Sequence, residues 1–260
     1  MELDRDVAKY FAVLLSMVNS ISEAGFGKSV VLTGALSLDM KLIEQGKDYL
    51  CRRTKDIDLS IKDEETYLEL FDNLERILNN NRYGIVFELI KRRGYKDKGD
   101  SASLRCEYLG ERLEVKVDMN IKSLDDSMIC EVSAVPLPAY SDYTSLVDKV
   151  YTVCSEKIFR RAKDMYDLYC YSLICSVSYK EFIGCVRKHR PDLFTSIQLT
   201  VIPSNYGKAR HAYEKNDALI GLPFCEMWRR LSLFLNPLVD MIISGEDVDV
   251  VWDVTSEVWR

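Results

Sequence analysis

The triplet Asp56-Ile57-Asp58, opening the run Asp-Ile-Asp-Leu-Ser-Ile, restricts the fold more than any other feature of this chain. Side chains alternate along a β-strand, so Asp56 and Asp58 leave one face about 7 Å apart while Ile57 points into a core. Aspartate is depleted in strands, so two on one face need a reason. Two carboxylates aimed together repel, and a bound Mg²⁺ relieves that cost because hard divalent ions take carboxylate oxygens and keep positions for substrate phosphates. A third carboxylate stands in Leu113-Glu114-Val115-Lys116-Val117-Asp118-Met119. There Leu113, Val115 and Val117 face one side and Glu114, Lys116 and Asp118 the other. If that polar face joins Asp56 and Asp58, the three aspartates form a site for two metal ions and an incoming hydroxyl, with a cation beside it. A half-exposed strand with an ordinary polar face would show the same alternation.

A second feature is the β-rich run Ser29–Thr33, which enters Gly34-Ala35 and then a helical stretch reaching about Gln45. Glycine lets a backbone approach a ligand closely, and a helix N-terminus offers unpaired N–H groups to phosphate oxygens. A strand-to-helix turn with one glycine is also simply a turn.

The rest of the chain divides by pattern. Val7, Tyr10, Phe11, Leu14, Leu15, Val18 and Ile21 recur at helical spacing and predict a helix over 4–24, ended by Gly25 and Gly27. Helix is expected over 64–80, and strands over 57–61, 85–90, 102–108, 112–121 and 130–138, with a turn at Leu109-Gly110-Glu111. From residue 145 the strand pattern fades, and 145–176, 178–189 and 207–243 read as helices. The expected architecture is therefore α+β: a mixed-sheet domain over 1–144, then an all-helical domain over 145–260. At 260 residues the chain can support both.

Composition narrows the function. The net charge of −6 argues against a general nucleic-acid binder. Within that balance Lys91-Arg92-Arg93-Gly94-Tyr95-Lys96-Asp97-Lys98 is a local basic cluster, readable as a solvated hairpin or as a surface touching an RNA or nucleotide substrate. Eight cysteines without a C-x-x-C pair, and only two histidines, leave no zinc site and no disulfide framework. No apolar run is long enough to span a membrane, and the charged N-terminal segment is not a signal peptide, so a cytoplasmic protein is expected.

In Lys157–Tyr169, Ile158, Ala162, Met165 and Tyr169 form an apolar helical stripe, and Lys157, Arg161 and Asp164 an adjacent polar one. A surface helix with weak ion pairs has this pattern too.

Together these segments resemble the nucleotidyltransferase superfamily of the DNA polymerase β-like fold, through Gly34-Ala35, Asp56-Ile57-Asp58 and Lys116-Val117-Asp118. More narrowly, VLTGALSL, RRTKDIDL and VKVD resemble the AbiEii/AbiGii toxins of bacterial abortive-infection systems, as does the C-terminal signature built from Lys157, Arg161 and Lys163-Asp164-Met165-Tyr166-Asp167-Leu168. Ala35 stands where the family usually has glycine or serine, and Asp56 follows Gly34 by 22 residues, a long gap that an extended helix or an inserted loop over roughly 44–52 would absorb. The resemblance implies a nucleotidyltransferase-fold sheet domain and transfer of a nucleotide from an NTP to an RNA (a tRNA, for example) or protein hydroxyl. It implies Asp56, Asp58 and Asp118 as catalytic Mg²⁺ ligands, and Gly34, Ala35, Lys116, Lys157 and Arg161 as nucleotide contacts. Asp164 and Asp167 would orient those cations from behind, and an antitoxin would be the partner. An antibiotic-type small-molecule transferase and a nucleotide-binding module without turnover share most of these features.

Overall fold

A computed structural model of the chain describes residues 4–95, 99–133, 135–154, 161–197, 206–216, 219 and 221–260. It divides into two compact units, Met1–Ser141 and Asp142–Arg260.

The first unit begins with helix α1 (Arg5–Glu23), whose first turn is capped by the Asp4 carboxylate accepting from the Asp6 and Val7 amides at 2.9 and 3.3 Å. Strand β1 (Val30–Thr33) leads into α2 (Gly34–Glu44), and a single 3₁₀ turn at Asp48–Leu50 fills the chain before β2 (Asp56–Ile61). Helix α3 (Glu64–Asn79) follows, then β3 (Phe87–Tyr95), β4 (Gly99–Tyr108) and β5 (Glu111–Ile121), with two short strands, β6 (Ile129–Cys130) and β7 (Ala139–Tyr140), closing the unit. They form a seven-stranded mixed sheet of order β3-β4-β5-β2-β1-β7-β6. The β1–β2, β3–β4, β4–β5 and β6–β7 pairs are antiparallel, whereas β2–β5 and β1–β7 are parallel.

One sheet face is apolar. Ile57, Leu59, Ala102, Leu104, Val115 and Val117 share a core with Val13, Leu14 and Met17 of α1 and with Leu70 and Leu74 of α3. Between β4 and β5 the loop is two residues, Leu109 and Gly110, both at positive φ (53° and 76°), the conformation that suits the twist of a tight hairpin. Two expectations need correction. The strand expected over 130–138 is only the two-residue pieces β6 and β7, because Pro136 and Pro138 cannot donate to a ladder. The strand expected at 85–90 begins at Phe87 and runs on through Lys91, Arg92 and Arg93, so the basic cluster begins in the first arm of the β3–β4 hairpin.

The second unit is mainly helical: α4 (Asp142–Val153), α5 (Ala162–Ile174), α6 (Tyr179–His189), the short α7 (Leu193–Ser196), α8 (Tyr206–Glu214) and α9 (Phe224–Ser244). The helices expected over 145–176 and 207–243 are each divided; Gly221 at φ +101° and Pro223 separate α8 from α9. A small antiparallel sheet of β8 (Val177–Ser178), β9 (Val251–Asp253) and β10 (Val258–Trp259) adds strand to a unit expected to be all-helical. Its anchor is Trp252, fully buried, whose indole N–H donates to the Ser172 carbonyl at 2.9 Å and whose ring meets Phe234 and Trp259 edge-on and tilted. Arg230 locks the same corner. It donates to the Ser172 hydroxyl and carbonyl at 3.0 and 2.6 Å and pairs with Glu257 at 2.6 Å. The eight cysteines are all free thiols, and Cys106, Cys154, Cys170 and Cys175 are buried as small core residues. No described helix is long and apolar enough to cross a membrane.

Candidate active site on the polar face of the sheet

The polar face of the first unit's sheet is organised by register. In the parallel β2–β5 ladder Asp58 lies opposite Asp118 and Asp56 opposite Lys116, each pair about 4.8 Å apart across the strands. In the antiparallel β1–β2 ladder Thr33 lies opposite Asp58. Three aspartates and a lysine thus occupy two adjacent rows on one face, with Ile57, Leu59 and Val117 fully buried behind them.

Gly34 stands against this cluster. Its φ is +71°, and a Cβ placed on it would lie 2.0 Å from Asp58 Oδ2, so both backbone conformation and space demand glycine. The Thr33 hydroxyl donates to the Asp58 carbonyl at 3.1 Å and does not cap α2. The first-turn amides of α2 are left without a side-chain cap, beside the Asp58 carboxylate. Ala35 is buried, so its methyl packs inward and only its backbone amide could serve a ligand.

Lys116 Nζ donates to Asp118 Oδ2 at 2.6 Å. Burial alone would pull the Lys116 pKa down, yet the hydrogen bond with Asp118 and the negative charges of Asp118, Asp56 and Asp58 hold it above its ordinary value. Lys116 therefore stays protonated and offsets part of the charge the three aspartates concentrate. The donor set is all carboxylate oxygen, which suits a hard divalent ion. With Lys116 holding Asp118, no three acidic, histidine or cysteine side chains among the described residues close on one point as a preformed metal cage.

The family model of the nucleotidyltransferase AbiEii toxins of type IV toxin–antitoxin systems matches residues 16–204. This chain belongs to the AbiEii family. It is accordingly a nucleotidyltransferase, and membership implies a nucleotide substrate and an antitoxin partner. Among solved structures it is similar to JHP933 from Helicobacter pylori, at 14% identity and a TM-score of 0.53 with 94% of each chain covered. It is also similar to a candidate nucleotidyltransferase from H. pylori, at 16% identity and the same TM-score of 0.53, covering 94% of this chain and 97% of that one. At these identities the likeness is one of fold. No curated protein matches the chain.

The C-terminal signature of this AbiEii chain is placed differently from its sequence reading. Lys157 lies outside the described residues. Arg161 is not within a helix but is the residue before α5, exposed, with Nη1 3.9 Å from Asp164 Oδ2. Arg161 thus precedes the helix that carries Asp164 rather than standing on it.

Asp164 and Asp167 instead converge on a cation from α4 that sequence reasoning missed. Lys149 Nζ donates to Asp164 Oδ1 and to Asp167 Oδ2, both at 2.7 Å, and the Asp167 side chain is only 1% exposed. No local pattern announces this triad, since Lys149 is 15 and 18 residues away from its two partners. A helix pairing of α4 against α5 would have been the one route to it. Removing one partner of a buried ion pair leaves the other charge uncompensated, at a cost of about 3 kcal/mol. Lys149→Ala should lower the melting temperature of the full chain by roughly 6–12 °C, and Lys149→Ala combined with Asp167→Asn should recover part of that loss. Thermal unfolding followed by circular dichroism measures both, and equal melting temperatures for Lys149→Ala and wild type would show that the triad adds nothing to stability.

Proposed function

We propose that this AbiEii chain moves a nucleotide from an NTP to a hydroxyl of RNA or protein in the cytoplasm, with Asp56, Asp58 and Asp118 as the ligands of Mg²⁺. The observation that carries the reading is the Asp58–Asp118 register with Gly34 pressed against Asp58. It puts the backbone at the start of α2 against the Asp58 carboxylate and Asp58 beside Asp118. When bound, divalent metal ions stabilise charge on the transferring phosphoryl group and favour the ionised acceptor oxygen.

The chain's own residues would do the rest. The uncapped first turn of α2, from Gly34 and Ala35, donates N–H groups to phosphate oxygens. The acceptor oxygen bonds to the α-phosphorus as the bond to the β-phosphate oxygen breaks, pyrophosphate leaves, and the acceptor proton passes to solvent. Lys116 supplies one fixed positive charge beside the reacting group, an electrostatic contribution that costs no reorganisation during reaction. Arg161, and Lys157 by the family resemblance, are proposed as further phosphate contacts, and Asp164 and Asp167 as their support.

Label transfer tests this. Purified chain, Mg²⁺ and each α-³²P-labelled NTP in turn are incubated with total cellular RNA and protein extract, with Asp56→Ala/Asp58→Ala as control. Label on a macromolecule only with intact aspartates is the expected result, and it identifies nucleotide and acceptor together. Transfer persisting in the control would dismiss the aspartates. Mg²⁺-dependent NTP binding without labelled macromolecule would favour a small-molecule acceptor or a nucleotide sensor.

The lysine gives an independent check. Lys116→Met leaves three carboxylates facing each other without their ammonium, so its melting temperature should fall below wild type in EDTA. Mg²⁺ should then restore more in the variant than it adds to wild type, because the relieved repulsion is larger. A calorimetric melt with and without Mg²⁺ reads the difference, and equal Mg²⁺ shifts in both proteins would place the ion elsewhere.

A further inference from the structure

The rows that hold the carboxylates do not stop at β5. In the β4–β5 and β3–β4 ladders Asp118 lies opposite Ser101 and Ser101 opposite Arg93, while Lys116 lies opposite Ser103 and Ser103 opposite Lys91. Residues opposite each other share a face. Lys91 and Arg93 therefore sit on the carboxylate face, two strands and roughly 10 Å from Lys116 and Asp118. A β-bulge brings this about: the register shifts between Leu89 and Lys91, leaving Ile90 as the extra residue. Leu89 still pairs with the core residue Leu104, yet from Lys91 onward the alternation is inverted. Without the extra residue Lys91 and Arg93 would point to the helix side and Arg92 would take the carboxylate face.

The three cations of this strand have different employment. Arg92 is held on the helix side, its guanidinium 4.7 Å from the centre of the Phe71 ring and donating to the Asp72 carbonyl at 3.1 Å. Arg105, one row further along the same face, is neutralised by Glu114 and Glu88 at 3.1 and 3.7 Å. Lys91 and Arg93 are exposed, and among the described residues neither has an ion-pair partner. Two uncompensated charges are thus aimed at the outer end of the proposed acceptor face of a chain whose net charge is −6.

The geometry points to Lys91 and Arg93 as a phosphate-backbone contact for a single-stranded RNA acceptor whose terminal hydroxyl reaches Asp58 and Asp118. This inference rests on the transferase reading of those aspartates. RNA fits better than protein because a nucleic acid places a fixed negative charge on every residue leading away from its terminal hydroxyl, and a hydroxyl side chain of a protein does not. Lysines on an edge strand also discourage edge-to-edge association. That role needs no particular face, however, and glutamates at the same positions would fill it equally well.

The test is binding, read separately from transfer. The full chain is titrated into a fluorescein-labelled single-stranded RNA of mixed sequence with a free terminal hydroxyl, at several salt concentrations, and anisotropy is followed. Lys91→Glu/Arg93→Glu should weaken binding at least about tenfold and reduce the slope of log K against log salt by about 1.4, the value for two lost phosphate contacts on a single strand. Arg76→Glu/Arg82→Glu, an equal charge change away from this face, should leave binding within about twofold. Lys91→Gln/Arg93→Gln, which adds no repulsion, should show the same loss of slope and serves if the glutamate variant misfolds. Unchanged affinity and slope in the Lys91/Arg93 variants would overturn the proposal, as would equal loss in the Arg76/Arg82 control. Polyglutamate binding as tightly as RNA, and lost alongside it, would assign the pair to an acidic protein instead. RNA binding that depends on Lys91 and Arg93 in a chain that transfers no label would uphold this surface while dismissing the transferase reading of the aspartates.

Discussion

Asp58→Asn should lower single-turnover nucleotidyl transfer at least about a thousandfold while leaving the melting temperature close to wild type. Asparagine has the shape of aspartate, so it fits against Gly34 and opposite Asp118 as before. What it lacks is the charge that a divalent ion and the phosphoryl group it accompanies require. The neighbouring Glu114 offers a matched control, because it lies on the same strand face but is paired with Arg105 at 3.1 Å, one row away from the aspartates. Glu114→Gln should change transfer less than about threefold, since exposed pairs are worth little. Rates measured on the acceptor found by label transfer decide the matter. Equal rates for Asp58→Asn and wild type would remove Asp58 from the chemistry.

Gly34→Ala should be nearly as damaging, through a different physical route. At φ +71° a residue with a side chain pays about 1–2 kcal/mol. The added methyl also cannot coexist with the Asp58 carboxylate, which stands 2.0 Å from its position. Asp58 must rotate away or β1 and β2 must separate, and either movement spoils the register that faces Asp58 to Asp118. The expected outcome is a loss of transfer of roughly a hundredfold together with a melting temperature lower by several degrees. Gly46, also at positive φ (+66°) but with open space around its Cβ position, is the comparison: Gly46→Ala should show the stability loss without the loss of transfer. If Gly34→Ala and Gly46→Ala behave alike, backbone strain alone accounts for both.

Much of this arrangement was legible in the chain because it is written in short-range alternation. The period of two in Leu113–Met119 and the triplet at Asp56–Asp58 each specify which side chains share a face, since a slip by one residue would expose Val115, Val117 and Ile57. The turn at Gly34 was legible as a turn. Its close approach to Asp58 was not, because that depends on how β1 pairs with β2. The second unit was less readable. The break between α4 and α5 interrupts a pattern that reads as one helix, and β8, β9 and β10, anchored by Trp252 and Arg230, fall where no strand was expected.

By itself, then, the sequence determined the α+β character of the chain, the polar and apolar faces of its central strands, and which acidic residues could act together. Periodicity suffices for this because burial acts on each residue through its immediate neighbours. Only the tertiary structure decided which strands lie side by side. The parallel β2–β5 pairing that sets Asp58 opposite Asp118 joins segments separated by three elements in sequence. The bulge at Ile90 turns Lys91 and Arg93 to the carboxylate face, and Lys149 reaches Asp164 and Asp167 from another helix. These are long-range choices, fixed by the packing of whole elements, and no local window of sequence contains the partner that makes them.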